Sequence, residues 1–371
     1  MLLARAYLSR TAEAPAPALA ELVAAVGPVE AAERVRCGAV PEAVAQETRA
    51  RREADRARSD LAAARAAGVR LICPEHPEWP AEPFAALAGC GVADLAPPVA
   101  LWGRGPGDLA RLAAGAVAVV GARSATGYGA HVAAELGAGL AAFDRTVVSG
   151  AAIGVDGAAH RGALAVAGPT VAVLACGADR VYPMAHEALL GRIAATGLVV
   201  SEYPPGGVPG RHRFLVRNRL IAALAAGTVV VEAALRSGAA RTASDAGSLG
   251  RVVMAVPGPV TSAQSAGCHR LLREGAELVT RVEEVLEALG PLGALAPEDP
   301  PGPRRATDGL DPVGLRVHDA LPARGARGTD WLALEAGVPA GAVRVALVEL
   351  ERRGLARRCD GRWQRRRPDR M

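Results

Sequence analysis

Six short runs rich in β-branched residues recur along the middle of the chain and limit what it can fold into. They read VAVVG, TVVSG, TVAVLACG, LVVSEY, TVVVEA and VVMAVPG, beginning near residues 117, 146, 170, 198, 228 and 252. An Ala-rich segment of helical length separates each run from the next, which is the spacing of βαβ units of about 30 residues. Strands that are apolar throughout need helices on both faces. The pattern predicts an α/β fold with a Rossmann-like, doubly wound, mostly parallel sheet.

The segments on either side of these runs differ in composition and predict further domains. The N-terminal segment has helical periodicity, the next is punctuated by proline, and a Pro/Gly-rich stretch typical of a flexible linker follows the last run. We therefore expect an N-terminal helical domain (1–70), a linker with an extended lead-in (71–107), a Rossmann-like domain (108–290), a Pro/Gly-rich linker (291–312) and a winged-helix domain with a basic tail (313–371).

The winged-helix prediction depends on the order of elements in the last segment. A helix capped by Thr329 ends near Ala336, and a second helix ends at Gly354. Two strand patterns then flank Asp360 and Gly361, a dipeptide typical of a hairpin turn. Helix, turn, helix and hairpin make up the winged-helix plan, in which the second helix is the candidate reader of DNA.

Charge and cysteine spacing narrow the class of protein. The formal net charge is +5, and residues 352–371 hold nine arginines against two aspartates, which permits an acidic partner. The six cysteines lie far apart, with no CxxC pair, which favours reduced thiols and argues against zinc and disulfides. The sequence has neither a leader pattern nor an apolar run long enough to span a bilayer. We expect a soluble cytoplasmic protein without metal or cofactor.

The segment RHRFLVRNR, residues 211–219, is the strongest local indication of a ligand. Four arginines lie within nine residues without an acidic neighbour, and one phenylalanine lies among them: Arg211, Arg213, Phe214, Arg217 and Arg219. Such a charge density suits a polyanion, and the ring of Phe214 offers a face on which a base can stack. The segment therefore favours nucleic acid, although a solvated helix start beside a buried phenylalanine would have the same pattern.

The segment VVGARSATGYG follows the first of the six runs and opens a helix. The free amides and the positive dipole end of that helix suit an anion. Arg123 follows Gly121 by two residues, and Gly127 lies at the helix start. The spacing differs from that of a dinucleotide-binding loop, and no acidic residue ends the next strand to hold a ribose hydroxyl. We expect a phosphate-binding loop here, with a plain tight turn as the alternative.

The segment SGAAIGVDGAAH occupies the same position after the second run. Gly150 follows Ser149 and, with Gly154, allows close approach of the backbone, while Asp156 and His160 fall on one helix face. The pair could be catalytic, but no serine or cysteine nucleophile lies at a suitable elbow. We favour a hydrogen-bonded brace that shapes the loop.

Two further strand ends contribute polar residues to the same edge of the predicted sheet. Glu202 and Glu232 end strands at the carboxyl edge, where α/β proteins place their sites. We expect them to orient the nearby arginines rather than to act as acid/base groups or metal ligands. The segment RSGAARTA supplies Ser237, Gly238 and Thr242 at another helix start, again typical of a phosphate-binding loop.

Taken in order, these segments resemble the DNA-processing protein A family (DprA, also called Smf). The resemblance spans roughly residues 69–282, more than half of the chain, and rests on these motifs: VGAR, SGAAIGVD with AAH, CGAD then YP, SEYPPG, F-x-x-RNR-x-IA, VEA with SG and TA, GR, AVPG and GA. The helical N-terminal segment and the winged-helix unit also fit the usual architecture of that family.

The resemblance implies a protein that binds and protects incoming single-stranded DNA. It also implies a homodimer, formed through the Rossmann-like domain, that helps to load the RecA recombinase during natural transformation. No catalytic turnover is implied. Carried over position by position, the contacts would come from Arg123, Ser149, Gly150, Arg217 and Asn218, with Phe214 stacking a base and Arg211 or Arg213 holding a phosphate. Arg219, Ser237, Gly238 and Thr242 complete the candidate set.

Three residues depart from the family pattern. Ala122 stands where serine is usual, His269 stands where the pattern has asparagine, and Ile153 is apolar where relatives can be basic. These departures concern the individual donors of the cleft rather than its existence.

Two other functions are compatible with parts of the sequence. A Rossmann-like nucleotide hydrolase would need a PGGxGTxxE-type loop, which is absent from the sequence. A winged-helix transcription regulator with a nucleotide-sensing α/β domain would prefer duplex DNA to single strands. The hypothesis that uses most of the motifs is a single-strand binding recombination mediator.

Overall fold

The computed structural model describes residues 1–290 and 306–366 of the chain. The chain divides into two compact units, residues 1–296 and residues 297–371. Most of the predicted linker over 291–312 lies outside the described residues.

Within the described residues, nine strands form the sheet of the first unit, in the order β1-β2-β6-β5-β4-β3-β7-β8-β9. Strands β3 to β9 all run parallel to one another. At one edge of the sheet, β2 runs antiparallel to both of its neighbours, β1 and β6. The six predicted runs form β3 to β8, so the predicted fold class is confirmed. The bounds are β1 (Val69–Ile72), β2 (Leu101–Arg104), β3 (Val117–Val120), β4 (Val147–Ser149), β5 (Thr170–Leu174), β6 (Leu198–Ser201), β7 (Gly227–Val230), β8 (Val252–Ala255) and β9 (Glu277–Leu278).

The helices of the first unit cover the sheet and its antiparallel edge. They are α1 (Leu2–Thr11), α2 (Pro17–Val26), α3 (Pro28–Cys37), α4 (Glu42–Thr48), α5 (Ala57–Ala66), α6 (Ala81–Gly89), α7 (Leu109–Ala113), α8 (Gly127–Ala142), α9 (Val155–Ala165), α10 (Glu187–Thr196), α11 (Arg211–Ala223), α12 (Gly238–Ser248), α13 (Ala266–Arg273) and α14 (Val282–Leu289).

Successive residues of the central strands serve opposite faces of the sheet. Val119 packs in one core with Leu140 of α8, whereas the next residue, Val120, packs in another core with Leu220 of α11. Because helices cover both faces, strand residues on either side are buried and the runs are apolar throughout.

The predicted linker over 71–107 is wrong in part, because this segment contributes to the main sheet. Residues 69–72 pair with residues 101–104, and the latter also pair with β6. Trp102, at the centre of this edge, is fully buried. The sequence signal was weak because each strand has only four residues and prolines lie in the intervening segment.

The N-terminal helices belong to the same compact unit as the sheet. Leu19 and Val35 share one core with Trp102 and with Ile193 of α10. The predicted helices over residues 1–70 are present, but their apolar faces are buried partly against the α/β layer. The predicted helical domain (1–70) and the sheet therefore lie in one compact unit.

The second unit contains α15 (Pro312–Ala320), α16 (Thr329–Ala336), α17 (Ala340–Arg352), β10 (Ala356–Cys359) and β11 (Arg362–Arg365). The two strands form an antiparallel hairpin, with positive φ at Asp360 (48°) and Gly361 (77°). The predicted helix–turn–helix–hairpin order is therefore present. Gly328, rather than Thr329, precedes the first turn of α16. Helix α15 was not predicted, although its start carries the side-chain cap of Asp311 and a proline in the first turn.

Across residues 1–290 and 306–366, no single helix is both long and apolar enough to cross a membrane. The pair α16 and α17 meets both requirements only when taken together, and it is bent by 102°.

Close packing of α8 against α9 generates a test of the fold. A methyl group on Gly162 would lie 2.1 Å from the carbonyl oxygen of Ala134. We expect Gly162→Ala to lower the free energy of unfolding by about 1–3 kcal/mol, because the backbones would have to separate. Urea denaturation measures the change.

Gly191→Ala is the matched control, because Gly191 lies exposed within α10 with nothing within 4 Å of an added methyl. It is expected to raise the free energy of unfolding by about 0.5–1 kcal/mol through helix propensity. Equal effects of the two substitutions would contradict the close approach of α8 and α9.

Candidate nucleic-acid interface

A cleft opens at the carboxyl edge of the sheet, where the chain order of the strands reverses. β3 lies between β4 and β7, so the loops after β3 and β7 diverge to opposite faces and leave a crevice between them. The cavity has a volume of about 590 Å³. Its lining comes from the loops after β3, β4 and β7 and from α11: Val120, Gly121, Ala122, Arg123, Ala152, Asp156, Arg211, His212, Phe214, Leu215, Arg217, Asn218, Ile221, Ser237, Gly238, Ala239 and Thr242.

Helix α11 is exposed at its start and buried over its second half. Arg211 and His212 are exposed at its start, whereas every residue from Arg217 to Ala223 is buried. The apolar residues that end the helix, among them Leu220 and Ile221, anchor it in the core, and the exposed basic half lies along the cleft. The sequence places the arginines, and the anchoring directs them to the edge of the sheet.

Arg217 is buried at the floor of the cleft, 5% exposed. Its guanidinium donates hydrogen bonds to the carbonyl oxygens of Gly150, at 2.8 Å, and Val173. Burial lowers its pKa to about 10, which still leaves the group charged at neutral pH. A Cβ at Gly150 would lie 2.3 Å from this guanidinium, so a larger residue at this position would displace the Arg217 side chain.

Asp156 braces the same loop from within. Its carboxylate accepts hydrogen bonds from the amides of Gly150, at 3.1 Å, and Ala152, at 3.5 Å. Burial raises the pKa of this carboxyl, while the charge of Arg217 opposes the shift. Gly154 turns the chain into α9 with a φ of +92°, and a Cβ there would lie 2.2 Å from the carbonyl oxygen of Ala122.

His160 does not pair with Asp156. Its Nδ1 lies 2.7 Å from Oγ1 of Thr170, whose hydroxyl donates to the carbonyl of Val147. The imidazole must therefore donate from Nδ1. Burial lowers the pKa of His160 to about 3, so the ring is neutral at physiological pH. In this geometry the two residues brace separate parts of the fold and do not form the catalytic pair considered from the sequence.

Arg123 and Phe214 form a partition beside the cleft. The guanidinium carbon of Arg123 lies 4.8 Å from the centre of the Phe214 ring, and the ring of Tyr182 lies 5.3 Å from it. Behind them is a second, mostly apolar cavity of about 270 Å³, also lined by Ile153 and Cys176. Tyr182 was not among the predicted site residues, although its position after β5 places it at the same edge of the sheet.

The loop after β3 does not offer a free helix end to an anion. The amide of Thr126, at the start of α8, donates to the carboxylate of Glu232 at 2.9 Å, and its hydroxyl does so at 2.7 Å. Glu232 therefore occupies the position that we predicted for a phosphate and does not orient an arginine. A Cβ at Gly129 would lie 2.2 Å from this carboxylate, whereas Gly127 has nothing within 4 Å.

The start of α12 does face the cleft. The hydroxyl of Ser237 accepts a hydrogen bond from the amide of Ala240 and caps the helix. The side chain of Asn218 donates to the carbonyl of Gly238 at 3.1 Å, and Thr242 donates to the same carbonyl at 3.3 Å. The Asn218 contact joins α11 to the start of α12.

Three predicted contacts lie away from the cleft. Arg219 is 1% exposed and pairs with Glu202 at 2.7 Å, which agrees with the predicted role of that glutamate. Ser149 is buried and donates to the carbonyl of Val119. Arg213 pairs with Glu13 of the N-terminal helical region at 2.7 Å. We therefore remove Arg219 and Ser149 from the candidate contacts, since buried groups with protein partners are not available to a ligand.

The residues that depart from the family pattern have separate surroundings. Ala122 is buried, and its carbonyl accepts from the amide of Val155 at 3.2 Å. Ile153 is 51% exposed at the mouth of the second cavity. The His269 ring lies 3.0 Å from the carbonyl of Gly258, so it acts as a local brace. Among the described residues, no group of three or more His, Cys, Asp or Glu side chains is arranged to hold a metal.

The doubly wound sheet, the cleft at its switch point and the winged-helix unit define a Rossmann-like α/β protein with arginine side chains in the cleft. A family model described as DNA recombination-mediator protein A matches residues 70–290, more than half of the chain. A second model, the DprA winged helix domain, matches residues 300–362. The chain belongs to the DNA-processing protein A (DprA) family, as its motifs predicted.

Individual relatives agree with this assignment. A DNA processing protein DprA of Mycobacterium tuberculosis is 56% identical over 97% of this chain and 93% of its own. The structure of DprA from Streptococcus pneumoniae superposes with a TM-score of 0.61 at 30% identity, covering 76% of this chain and 95% of that one. DprA from Helicobacter pylori, described for its unique single-stranded DNA binding mode, gives a TM-score of 0.51 at 27% identity, covering 60% of this chain and 95% of that one.

The neutral, buried state of His160 predicts a pH dependence of stability. Its pKa of about 3 in the fold lies below the ordinary value, so the unfolded chain binds more protons as the pH falls below about 6.5. The contribution of His160 is present above that pH and is lost toward pH 3. We expect His160→Gln to reduce the fall in unfolding free energy between pH 7 and pH 5, by up to about 1.4 kcal/mol per pH unit. Urea denaturation at the two pH values measures it, and equal slopes would contradict a buried neutral imidazole.

Proposed function

We propose that this chain binds single-stranded DNA in the cleft at the carboxyl edge of its sheet and acts as a recombination mediator. The observation that carries the proposal is the convergence of Arg123, Arg211 and Arg217 with the aromatic ring of Phe214 on one cavity. Membership of the DprA family and the relative from Helicobacter pylori support single-stranded DNA as the ligand.

The charge balance of the cleft suits a polyanion. Among the described residues that line it, Asp156 is the one carboxylate, and its charge is directed to Arg217 and to the loop amides. Arg123 and Arg211 are exposed and remain for phosphates. Each phosphate that they neutralise releases counterions, and this release favours binding most at low salt.

The aromatic part of the site adds stacking without reading sequence. Phe214 contacts both the Arg123 guanidinium and the Tyr182 ring, so a base that stacks here joins an existing group of flat side chains. Such stacking contributes about 1–3 kcal/mol per base and accepts any base. We therefore infer weak sequence preference and a preference for unpaired strands, whose bases are free to stack.

Loading of RecA, protection of incoming strands, dimerisation and the lack of catalytic turnover complete the proposal. They follow from family membership, since a recombination mediator delivers single strands to a recombinase. Electrophoresis of single- and double-stranded oligonucleotides at two ionic strengths tests the ligand class. Preference for the duplex would favour the alternative of a winged-helix transcription regulator.

Arg123→Ala and Arg211→Ala should each weaken binding to oligo-dT and reduce its salt dependence. The expected decrease in the slope of log K against log salt is about 0.7 for each lost phosphate contact on a single strand. Fluorescence anisotropy over a range of salt concentrations measures the slope. Arg217 is less suitable for this test, because its loss would also free the carbonyls of Gly150 and Val173.

Arg161→Ala is the matched control for these two variants. Arg161 is exposed on α9, and it does not line the cleft. Its removal changes the net charge by the same amount and should leave the slope unchanged. A slope that falls equally in all three variants would assign the effect to net charge rather than to the cleft.

Phe214→Leu should lower the affinity for oligo-dT by roughly 5- to 150-fold, corresponding to about 1–3 kcal/mol of stacking. The salt slope should stay the same, because no charge is removed. The same anisotropy titrations provide both values. A change in slope would mean that Phe214 acts mainly by positioning Arg123.

A further inference from the structure

The carboxylate of Glu13, in the loop between α1 and α2, lies at the start of α11. It accepts hydrogen bonds from Arg51 at 2.6 Å, from His212 at 2.9 Å and from Arg213 at 2.7 and 2.8 Å. We call these four side chains the Glu13 junction. The junction joins the N-terminal helices to the helix that lines the cleft.

The Glu13 junction holds more positive than negative charge. Burial would raise the pKa of Glu13, but hydrogen bonds from Arg213, Arg51 and His212 outweigh it and lower the pKa to about 2. Glu13 is therefore ionised, yet one carboxylate balances only one of the two guanidinium groups. The junction keeps at least one net positive charge at neutral pH.

Other ion pairs of the N-terminal helices have a simpler composition. Arg5 pairs with Glu75 at 2.6 Å and Arg10 pairs with Asp60 at 2.7 Å, each as one base with one acid. Such pairs are sufficient to hold helices together. The additional cations around Glu13 therefore need a reason other than docking of the N-terminal helices.

The junction is continuous with the cleft. His212 lines the cleft and also contacts Glu13, and its neighbour Arg211 lines the cleft too. The side chain of Glu13 thus connects Arg51 to His212 of the cleft lining, and 40% of the Arg51 side chain is exposed. Arg213 is held in place by the carbonyl of Val208 at 2.8 Å and by the ring of Tyr203 at 4.3 Å. The donors are preorganised around an anion.

We propose that the Glu13 junction is a second phosphate-binding subsite, in which a backbone phosphate of the strand leaving the cleft replaces the carboxylate of Glu13. This inference rests on the proposed function, because the strand must first occupy the cleft. Arg51 and Arg213 would then bind the phosphate, with His212 as a further donor. The N-terminal helices would extend the DNA path rather than only support the sheet.

The first test compares Glu13→Gln with the natural chain on oligo-dT of about 4 to about 16 nucleotides, the range of single-strand site sizes. The amide has no charge to compete with phosphate. We expect several-fold tighter binding of the longer oligonucleotides, with a salt slope steeper by about 0.7 for each added phosphate contact. Oligonucleotides too short to leave the cleft should bind with unchanged affinity.

Arg51→Ala provides the opposite change without disturbing the pair between Glu13 and Arg213. It should weaken binding of the longer oligonucleotides and flatten their salt slope by about 0.7, again without an effect on the shortest. In the double variant with Glu13→Gln, most of the gain in affinity for the longer oligonucleotides should be lost. This variant keeps the inference testable even if Glu13→Gln does not fold.

Glu75→Gln is the matched control. The side chains of Glu75 and Glu13 are similarly exposed, 32% and 29%, and both pair with arginine in the N-terminal part of the chain. Glu75→Gln removes the same charge away from the cleft lining and should not change the length dependence. Thermal unfolding of each variant verifies that it is folded under the assay conditions.

The outcomes separate this inference from the proposed function. Unchanged affinity of folded Glu13→Gln and Arg51→Ala for all lengths, with weaker binding by Arg123→Ala, would overturn the junction subsite alone. An equal gain at every length, or the same gain in Glu75→Gln, would also overturn it by showing a general charge effect. Absence of oligo-dT binding by the natural chain would overturn the proposed function itself.

Discussion

A guanidinium buried at the end of the sheet is the constraint on which the cleft depends. A buried cation is costly unless it is hydrogen-bonded and near an opposite charge, and Arg217 meets this requirement with the carbonyls of Gly150 and Val173 and with nearby Asp156. Its hydrogen-bond partners come from the loop after β4 and from β5, and Arg217 itself belongs to α11, the helix before β7. One side chain therefore joins three segments at the floor of the cleft, and glycine at position 150 leaves the room it needs.

Around this centre, residues of one chemical type have separate roles. Arg123 and Arg211 are exposed and available to a ligand, whereas Arg219 is paired with Glu202 inside the protein. Arg213 is directed to Glu13 and thereby connects the N-terminal helices to the basic half of α11. The segment 211–219 thus contributes both internal ion pairs that stabilise the fold and an exposed cationic surface. Division of these roles explains why net charge alone is a poor guide to the site.

Much of the fold follows from local pattern. The six β-branched runs at βαβ spacing define a parallel sheet, and the hairpin signal at Asp360 and Gly361 defines the wing. The predicted extended lead-in contains β2, whereas the missed strands were short: β1 has four residues and β9 has two. A strand of that length carries too few alternations to be recognised, and it forms because a neighbouring strand supplies its hydrogen bonds. The same reason makes the proline-rich segment over 71–107 part of the sheet.

The sequence by itself determined the order of strands and helices, and hence which loops meet at one edge of the sheet, because parallel strands bring their carboxyl ends together. It also determined that arginine and phenylalanine begin α11. Only the tertiary structure decided which arginines face the cleft, because each residue turns the helix by about 100° and remote partners compete for each side chain. The partner of Arg213 lies 200 residues away in the chain, and Glu232 reaches Thr126 across 106 residues. Residues so far apart in the chain leave no local sequence pattern. The sequence therefore predicted a phosphate at the start of α8, where the structure places the carboxylate of Glu232.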